Sequence, residues 1–240
     1  MQVTCRLGRA SSRCAPRRDA RALHRNLPVR RPRIPAWQTR GMAQSDGRRR
    51  VDRIRGRWAR TLLSLCGWQL TGEAPDVPRC IVTFAPHTSN WDFPLLLLVR
   101  AALRPRIKYL AKRSLFRFPF APLFRWTLAI PVDRSQPGQV VAELRSLLAT
   151  SDDLWIALSP EGTRAKRDRW KTGFYRLATE SGVPVLCAFI DAARRQCGVG
   201  PLLYMTGDVA VDIGHIREFY ADKRGIHPER ESEIRFREDF

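Results

Sequence analysis

The sequence lacks the patterns on which several large protein classes depend. No stretch reaches the roughly 20 apolar residues of a membrane span, because the run from Leu95 to Leu103 is short and contains Arg100. A Walker A loop, a GxGxxG loop, a GxSxG elbow and an HExxH helix are all missing. The six cysteines form no CxxC pair and no Cys/His metal spacing, which favours a reducing compartment. We therefore expect no membrane span, no metal and no bound cofactor.

Acidic residues are scarce at the N-terminal end. The 240-residue chain has a formal net charge of +20, and residues 1–60 hold 18 arginines, no lysine and 3 acids. Residues 1–44 are therefore predicted to be a disordered basic segment. A transit peptide, an arm for nucleic acid or anionic membrane, and an over-long gene model with translation from Met42 are the three explanations. The third is favoured, because polar, helix-like sequence begins just after Met42.

A basic amphipathic helix is predicted after this segment. Apolar residues recur at helical spacing and arginines fall between them. The apolar positions are Val51, Ile54, Trp58, Leu62 and Leu65, and the basic ones are Arg53, Arg57 and Arg60. Such a helix packs on its own domain or lies on an anionic membrane surface, and both are compatible with the pattern.

Short apolar runs alternate with helical patterns through the remaining chain. Strands are predicted at Cys80–Phe84, Ile107–Ala111, Ala129–Arg134, Leu154–Leu158, Val183–Ile190 and Val209–Ile213. The aromatic stretch 114–126 is expected to be a core helix, or else a surface for acyl chains and phosphates. The pattern indicates one α/β domain over residues 45–220 with a mixed, mostly parallel sheet flanked by helices. The polar tail, residues 221–240, is expected to be a mobile helix or disordered.

Three predicted strand ends carry polar side chains, and parallel strands would bring these ends to one edge of the sheet. His87 and Asp92 fit a general base and the carboxylate that orients it, although Asp92 as a simple helix cap is the alternative. Arg164 suits a phosphate, Gly162 allows close approach of a ligand, and Thr163 adds a hydroxyl. Internal salt bridges involving Arg134 and Glu161 on a solvated face are the alternative.

These blocks together resemble the glycerolipid and lysophospholipid acyltransferases, most nearly the bacterial 1-acylglycerol-3-phosphate acyltransferase type. The resemblance covers roughly residues 51–215. It rests on four ordered blocks: His87–Asp92 (HTSNWD), Ile130–Arg134 (IPVDR), Pro160–Arg164 (PEGTR) and Val183–Val185 (VPV). Two positions depart from the family pattern: Thr127 and Leu128 stand where a glycine is frequent, and the fourth block lacks its later proline.

The resemblance implies an enzyme with a glycerolipid-acyltransferase-like fold. It would move a fatty acyl group from acyl-CoA or acyl-carrier protein to a lysophospholipid hydroxyl, with 1-acyl-sn-glycerol 3-phosphate as the expected acceptor and phosphatidic acid as product. By the same resemblance, His87 would be the base and Asp92 its partner, while the acceptor phosphate would be held by Arg134, Glu161, Gly162, Thr163 and Arg164. No acyl-enzyme, metal or cofactor is implied.

The expected location is the cytoplasmic face of the inner membrane, as a peripheral protein on an anionic surface. No specific nucleic acid is expected as a partner. Two alternatives stay open: an acyltransferase for another acceptor, such as an ornithine-type lyso-lipid, and a non-enzymatic basic protein that binds lipid or nucleic acid.

Overall fold

A seven-stranded mixed sheet lies at the centre of the chain. The structure is a computed structural model, and it describes residues 46–103, 107–117, 119, 121–133 and 135–236. The basic segment 1–44, Met42 and Arg134 lie outside the described residues. The strands are β1 (Gln69–Thr71), β2 (Arg79–Ala85), β3 (Lys108–Lys112), β4 (Ala129–Val132), β5 (Leu154–Leu158), β6 (Val185–Asp191) and β7 (Gln196–Leu203).

Five neighbouring strands of this sheet are parallel. The order across the sheet is β1-β7-β6-β2-β5-β3-β4, with β7 antiparallel to β6 and β1 parallel to β7. The central strands β2 and β6 are buried along their whole length, as apolar runs without alternation predict. The mixed, mostly parallel sheet flanked by helices is confirmed.

Helices cover both faces of the sheet. They are α1 (Asp46–Leu65), α2 (Asp92–Leu103), α3 (Ala121–Trp126), α4 (Pro137–Thr150), α5 (Gly173–Ser181) and α6 (Val209–Tyr220). Alternate residues of β2 face opposite cores: Ile81 packs with residues of α4, α5 and α6, whereas Val82 packs with residues of α1 and α2. A single buried strand thus joins the two cores and ends directly before His87.

Helix α1 packs against α2 on the side that carries Gly56 and Leu63 rather than through the predicted apolar stripe. Gly56, Ala59 and Leu63 are buried, and a Cβ added at Gly56 would stand 3.3 Å from the Ala102 carbonyl oxygen. Four of the five predicted apolar positions remain exposed, namely Ile54, Trp58, Leu62 and Leu65, and the side chain of Val51 lies outside the described part of the chain. No helix among the described residues is both long and apolar enough to cross a membrane.

The sequence prediction is wrong in two places in the second half of the chain. Val209–Ile213, predicted as a strand, is the first part of α6, because Asp208 caps the helix by accepting hydrogen bonds from the Ala210 and Val211 amides. Strand β7 was not predicted, since two glycines and Pro201 interrupt its apolar pattern.

The polar tail is also more ordered than its composition suggests. Residues 221–236 lie against the domain, where Ile234 and Phe236 pack on the core beside α5 and α6. The Phe236 ring meets Phe174 and Tyr175 at centroid distances of 5.8 and 5.6 Å. These two apolar side chains fix a segment that is otherwise polar, so the expectation of a mobile or disordered tail does not hold for residues 221–236.

Candidate active site

His87 and Asp92 form a hydrogen-bonded pair just beyond the end of β2. His87 Nδ1 lies 3.0 Å from Asp92 Oδ2. The Asp92 carboxylate is fully buried, whereas the His87 side chain keeps 17% of its surface exposed. With Nδ1 engaged by the carboxylate, the tautomer that this pairing favours leaves Nε2 unprotonated and able to accept a proton.

Asp92 is held in place by the loop that it follows. Its Oδ2 also accepts hydrogen bonds from the Thr88 and Ser89 amides at 2.9 and 2.8 Å. Both donors precede α2, so the carboxylate closes the loop back onto itself while its charge lies at the positive end of the helix dipole. Asp92 is therefore more than a helix cap, because it fixes the loop and the His87 ring together.

Glu161 joins this loop from the end of β5. The His87 amide donates a hydrogen bond to Glu161 Oε1 at 3.1 Å. Glu161 is 2% exposed, and burial, opposed by the His87 amide and reinforced by the nearby Asp92 and Glu231 charges, raises the pKa of its carboxyl from 4.5 to about 8. The carboxyl lies beneath the loop, and a neutral form is favoured at pH 7.

After the buried residues Pro160 and Glu161, the Pro160–Arg164 block reaches the surface at Arg164. Gly162 has φ +66°, a conformation that favours glycine, and a Cβ added there would stand 2.7 Å from Lys171 Cε. The side chain of Lys171 thus lies directly over the turn. Thr163 Oγ1 accepts the Ala165 amide, and Arg164 is exposed, without an ion pair to any described residue. A lysine and an arginine are therefore available to an anion beside the His87 loop.

Asp133, at the end of β4, faces solvent. Its carboxylate accepts hydrogen bonds from the Ser135 amide at 3.0 Å and the Ser135 hydroxyl at 2.7 Å. These bonds, with a smaller contribution from the Arg113 charge, lower its pKa. Arg134, expected to bind the acceptor, falls outside the described residues. The structure thus joins His87 to both Asp92 and Glu161 by hydrogen bonds, whereas the Asp133 carboxylate is hydrogen-bonded to nearby Ser135.

A segment that the sequence did not single out connects the two site loops. We call residues 224–236 the C-terminal strap. At the His87 loop, the His227 amide donates to Thr88 Oγ1 at 3.1 Å. At the other loop, the Arg167 amide donates to Ser232 Oγ at 3.1 Å and the Trp170 amide to the Arg235 carbonyl at 2.9 Å.

The strap also closes a cavity behind the site. The cavity has a volume of about 180 Å³, and Glu161, Trp170, Tyr220 and Glu231 contribute to its wall. The Tyr220 hydroxyl donates to the carbonyl oxygens of β2 and β6. The signal in the sequence for this arrangement is the presence of the apolar residues Ile226, Ile234 and Phe236 in an otherwise polar tail. Among the described residues, no group of three or more His, Cys, Asp or Glu side chains is placed to hold a metal ion.

Comparison with known proteins places the site inside a recognisable domain. A family model described as Acyltransferase matches residues 73–191, which include every predicted site residue. The curated protein described as probable 1-acyl-sn-glycerol-3-phosphate acyltransferase 5, from Arabidopsis thaliana, is 32% identical over 129 residues. That alignment covers 48% of this chain and 32% of the relative, so the chain spans about a third of the relative's length.

The crystal structure of the 1-acyl-sn-glycerophosphate (LPA) acyltransferase PlsC from Thermotoga maritima has a TM-score of 0.45 and 16% sequence identity to this chain. The superposition covers 75% of this chain and 85% of that one.

Proposed function

Because this chain belongs to the acyltransferase family, we propose that it moves a fatty acyl group from a thioester to the free hydroxyl of a lysophospholipid. The donor is acyl-CoA or acyl-carrier protein, and the acceptor is 1-acyl-sn-glycerol 3-phosphate, which gives phosphatidic acid. The observation that carries this proposal is the 3.0 Å bond between His87 Nδ1 and the buried Asp92 carboxylate. It leaves a partly exposed base at the carboxyl edge of a parallel sheet.

The chemistry follows from that pair. His87 Nε2 takes the proton of the acceptor hydroxyl as its oxygen attacks the thioester carbonyl. The imidazolium that forms is stabilised by Asp92, whose carboxylate stays fixed by the Thr88 and Ser89 amides. When the carbon–sulfur bond breaks, the thiolate leaves with the proton that His87 returns. The base is then restored without an acyl group ever residing on the protein.

The acceptor phosphate is assigned to the outward part of the Pro160–Arg164 block. Arg164 and Lys171 are exposed cations, and the guanidinium of Arg164 matches a phosphate with two parallel hydrogen bonds. Gly162 permits the turn that leads to Arg164, because its φ of +66° favours glycine. We assign Glu161 a positioning role, since its carboxyl is buried and accepts the hydrogen bond of the His87 amide.

Helix α1 supplies a surface for the membrane from which a lipid acceptor would come. Trp58 and Leu65 are 68% and 78% exposed, on the side of the helix away from buried Ala59. Arg57 and Arg60 are exposed along the same helix, where they complement anionic head groups. We propose that the protein is peripheral and that α1 lies on the anionic surface of the cytoplasmic membrane face.

The test is acyl transfer by the full chain to lysophosphatidic acid in mixed micelles, beside lysophosphatidylcholine and an ornithine-type lyso-lipid. Acyl-CoA and acyl-carrier protein serve as alternative donors. We expect lysophosphatidic acid to be preferred, and Arg164→Ala to raise its KM about tenfold by removing a charge-assisted hydrogen bond. Arg176→Gln, on the exposed side of α5, is the matched control. Turnover with the other acceptors alone would overturn the acceptor assignment, and no turnover with any pair would overturn the function.

A further inference from the structure

We propose that an open pocket beside β3 and β4 binds the phosphate at the far end of the phosphopantetheine arm of the acyl donor. This inference rests on the proposed acyl transfer and adds a donor subsite to it. The chemistry is shared by two sources, since coenzyme A carries a diphosphate at this point of the arm and a carrier protein carries a phosphodiester. Both present an anion joined to an uncharged arm that ends in the thioester.

The pocket combines two cations with an apolar floor. It has a volume of about 480 Å³ and is lined by Arg113, Phe116, Arg117, Ala129 and Pro131. Both arginines are exposed, and no carboxylate is among these lining residues. Arginine binds phosphate through paired hydrogen bonds, and the apolar floor suits the methyl groups of the pantoyl unit or the face of an adenine ring.

The register of the sheet fixes where the pocket lies relative to His87. Val82 and Tyr109 both pair with Ala157, so Ala85 and Lys112 reach the same height at the carboxyl edge. Lys112 pairs in turn with Val132. Arg113 therefore begins about 10 Å across the edge from the β2 end, and β4 ends about 14 Å from it, since strands lie roughly 4.8 Å apart.

A row of aromatic rings spans this interval. Phe93, the neighbour of Asp92, lies 6.4 Å from Phe124, and Phe124 lies 5.8 Å from Phe116, measured between ring centroids. These contacts place Phe116, on the pocket wall, within about 12 Å of Phe93. An uncharged arm running along these rings would connect the pocket with the His87 end of the site.

The lengths of the donor and acceptor molecules indicate which of the two can place its phosphate in the pocket. In 1-acyl-sn-glycerol 3-phosphate, the phosphorus lies about 5 Å from the attacking oxygen, given ordinary bond lengths. In an extended phosphopantetheine thioester, the phosphorus lies about 15 Å from the sulfur on the same basis. An acceptor whose hydroxyl meets His87 would thus keep its phosphate within about 5 Å of that hydroxyl, whereas the donor phosphate would reach the Arg113–Arg117 pocket.

The experiment compares the full chain with Arg113→Gln, Arg117→Gln and the double variant, with Arg176→Gln as control. One acyl group is supplied on coenzyme A, on carrier protein and on pantetheine, which lacks the phosphate. We expect the double variant to raise the KM for acyl-CoA or acyl-carrier protein about tenfold. The KM for acyl-pantetheine and for lysophosphatidic acid should not change. The phosphorylated donor whose KM rises, acyl-CoA or acyl-carrier protein, identifies the source of the phosphate.

Three results would overturn the proposal: an equal rise with acyl-pantetheine, a rise confined to the acceptor, or no change with any donor. Equilibrium dialysis of free coenzyme A separates this inference from the proposed function. If no donor supports transfer, the function fails, whereas weaker coenzyme A binding by the double variant still supports the phosphate site. Equal binding of coenzyme A by the wild type and the double variant would then refute the pocket assignment. The absence of coenzyme A binding, together with equal binding of holo-carrier protein by the two, would refute it as well.

Discussion

The His87 amide donates a hydrogen bond to Glu161 Oε1 at 3.1 Å, across 74 positions of sequence. This contact joins the loop after β2 to the loop after β5, so His87 and the Pro160–Arg164 block are held in one arrangement. The acceptor in this bond is a buried carboxyl whose pKa is raised to about 8. Its protonation state is therefore linked to folding.

Glu161→Gln should make stability less dependent on pH. The carboxyl ionises near pH 4.5 in the unfolded chain and near pH 8 in the native one, so its contribution is complete below pH 4.5 and is lost as pH rises toward 8. The loss is about 1.4 kcal/mol per pH unit in this window, roughly 5 kcal/mol over the whole of it. Glutamine keeps an oxygen for the His87 amide without ionising. In urea unfolding at several pH values, the free energy of unfolding of the variant should rise relative to that of the wild type as pH approaches 8. The same pH dependence in both proteins would contradict this.

Gly225→Ala should disturb the His87 loop through the C-terminal strap. A Cβ at Gly225 would stand 2.6 Å from Thr88 Oγ1 and 2.8 Å from Thr88 Cγ2, and Thr88 is fully buried. We expect a loss of about 1–3 kcal/mol of stability, as in other overpacked sites, together with lower kcat. Thr88→Ala in the same chain should relieve part of the loss.

The control for this change is Gly214→Ala in α6, where an added Cβ meets no atom within 4 Å. That substitution should stabilise the helix by about 0.5–1 kcal/mol, because alanine is the better helix former. Equal effects of the two alanines in thermal unfolding would show that the contact between Gly225 and Thr88 has no role.

Leu128→Gly should stabilise the protein. Leu128 has φ +61° and is partly exposed, and it stands in the region where the resembling family frequently has glycine. A side chain in this left-handed conformation costs about 1–2 kcal/mol, and glycine avoids most of that cost. Leu128→Ala is the matched control, because it removes the side chain but keeps Cβ. In chemical denaturation we expect glycine to exceed alanine by about 1 kcal/mol, and the reverse order would contradict the strain.

Trp58→Glu should weaken binding to anionic vesicles. Trp58 is an exposed aromatic residue on the apolar side of α1, and its insertion at the interface would bury apolar surface near Arg57 and Arg60. We expect about a tenfold loss of partitioning in vesicle sedimentation with phosphatidylglycerol-containing lipid. Val211→Glu, at an exposed apolar position of α6, is the control. Equal losses in both variants would show that α1 is not the contact surface.

The elements that could be predicted from the sequence are those with local causes. Apolar runs gave the buried strands β2 and β5, and the short spacing from His87 to Asp92 allowed a pair within one loop. In α1 the sequence predicts the apolar stripe, but it does not predict which side of the helix is buried. Gly56 lies close to the α2 backbone at Ala102, and a hydrophobic period does not register such a contact.

The features that escaped prediction depend on distant contacts. Thr88 and His227 are 139 positions apart, and nothing near either residue signals their hydrogen bond. The burial of Glu161 likewise follows from the strap and from the loop after β2. A residue that was expected to bind the acceptor therefore has a buried carboxyl that accepts the His87 amide hydrogen bond. At Val209–Ile213, the Asp208 cap outweighed the β-branched composition and produced a helix.

The turnover of His87→Ala tests the central claim, that His87 is the base, most directly. The comparison uses the full chain with acyl-CoA or acyl-carrier protein and lysophosphatidic acid, and His215→Ala, at an exposed histidine of α6, as the matched control. We predict that kcat falls about 10²–10⁴-fold in His87→Ala, with a small change in acceptor KM, and is unaffected in His215→Ala. Wild-type turnover in a folded His87→Ala protein would contradict the account.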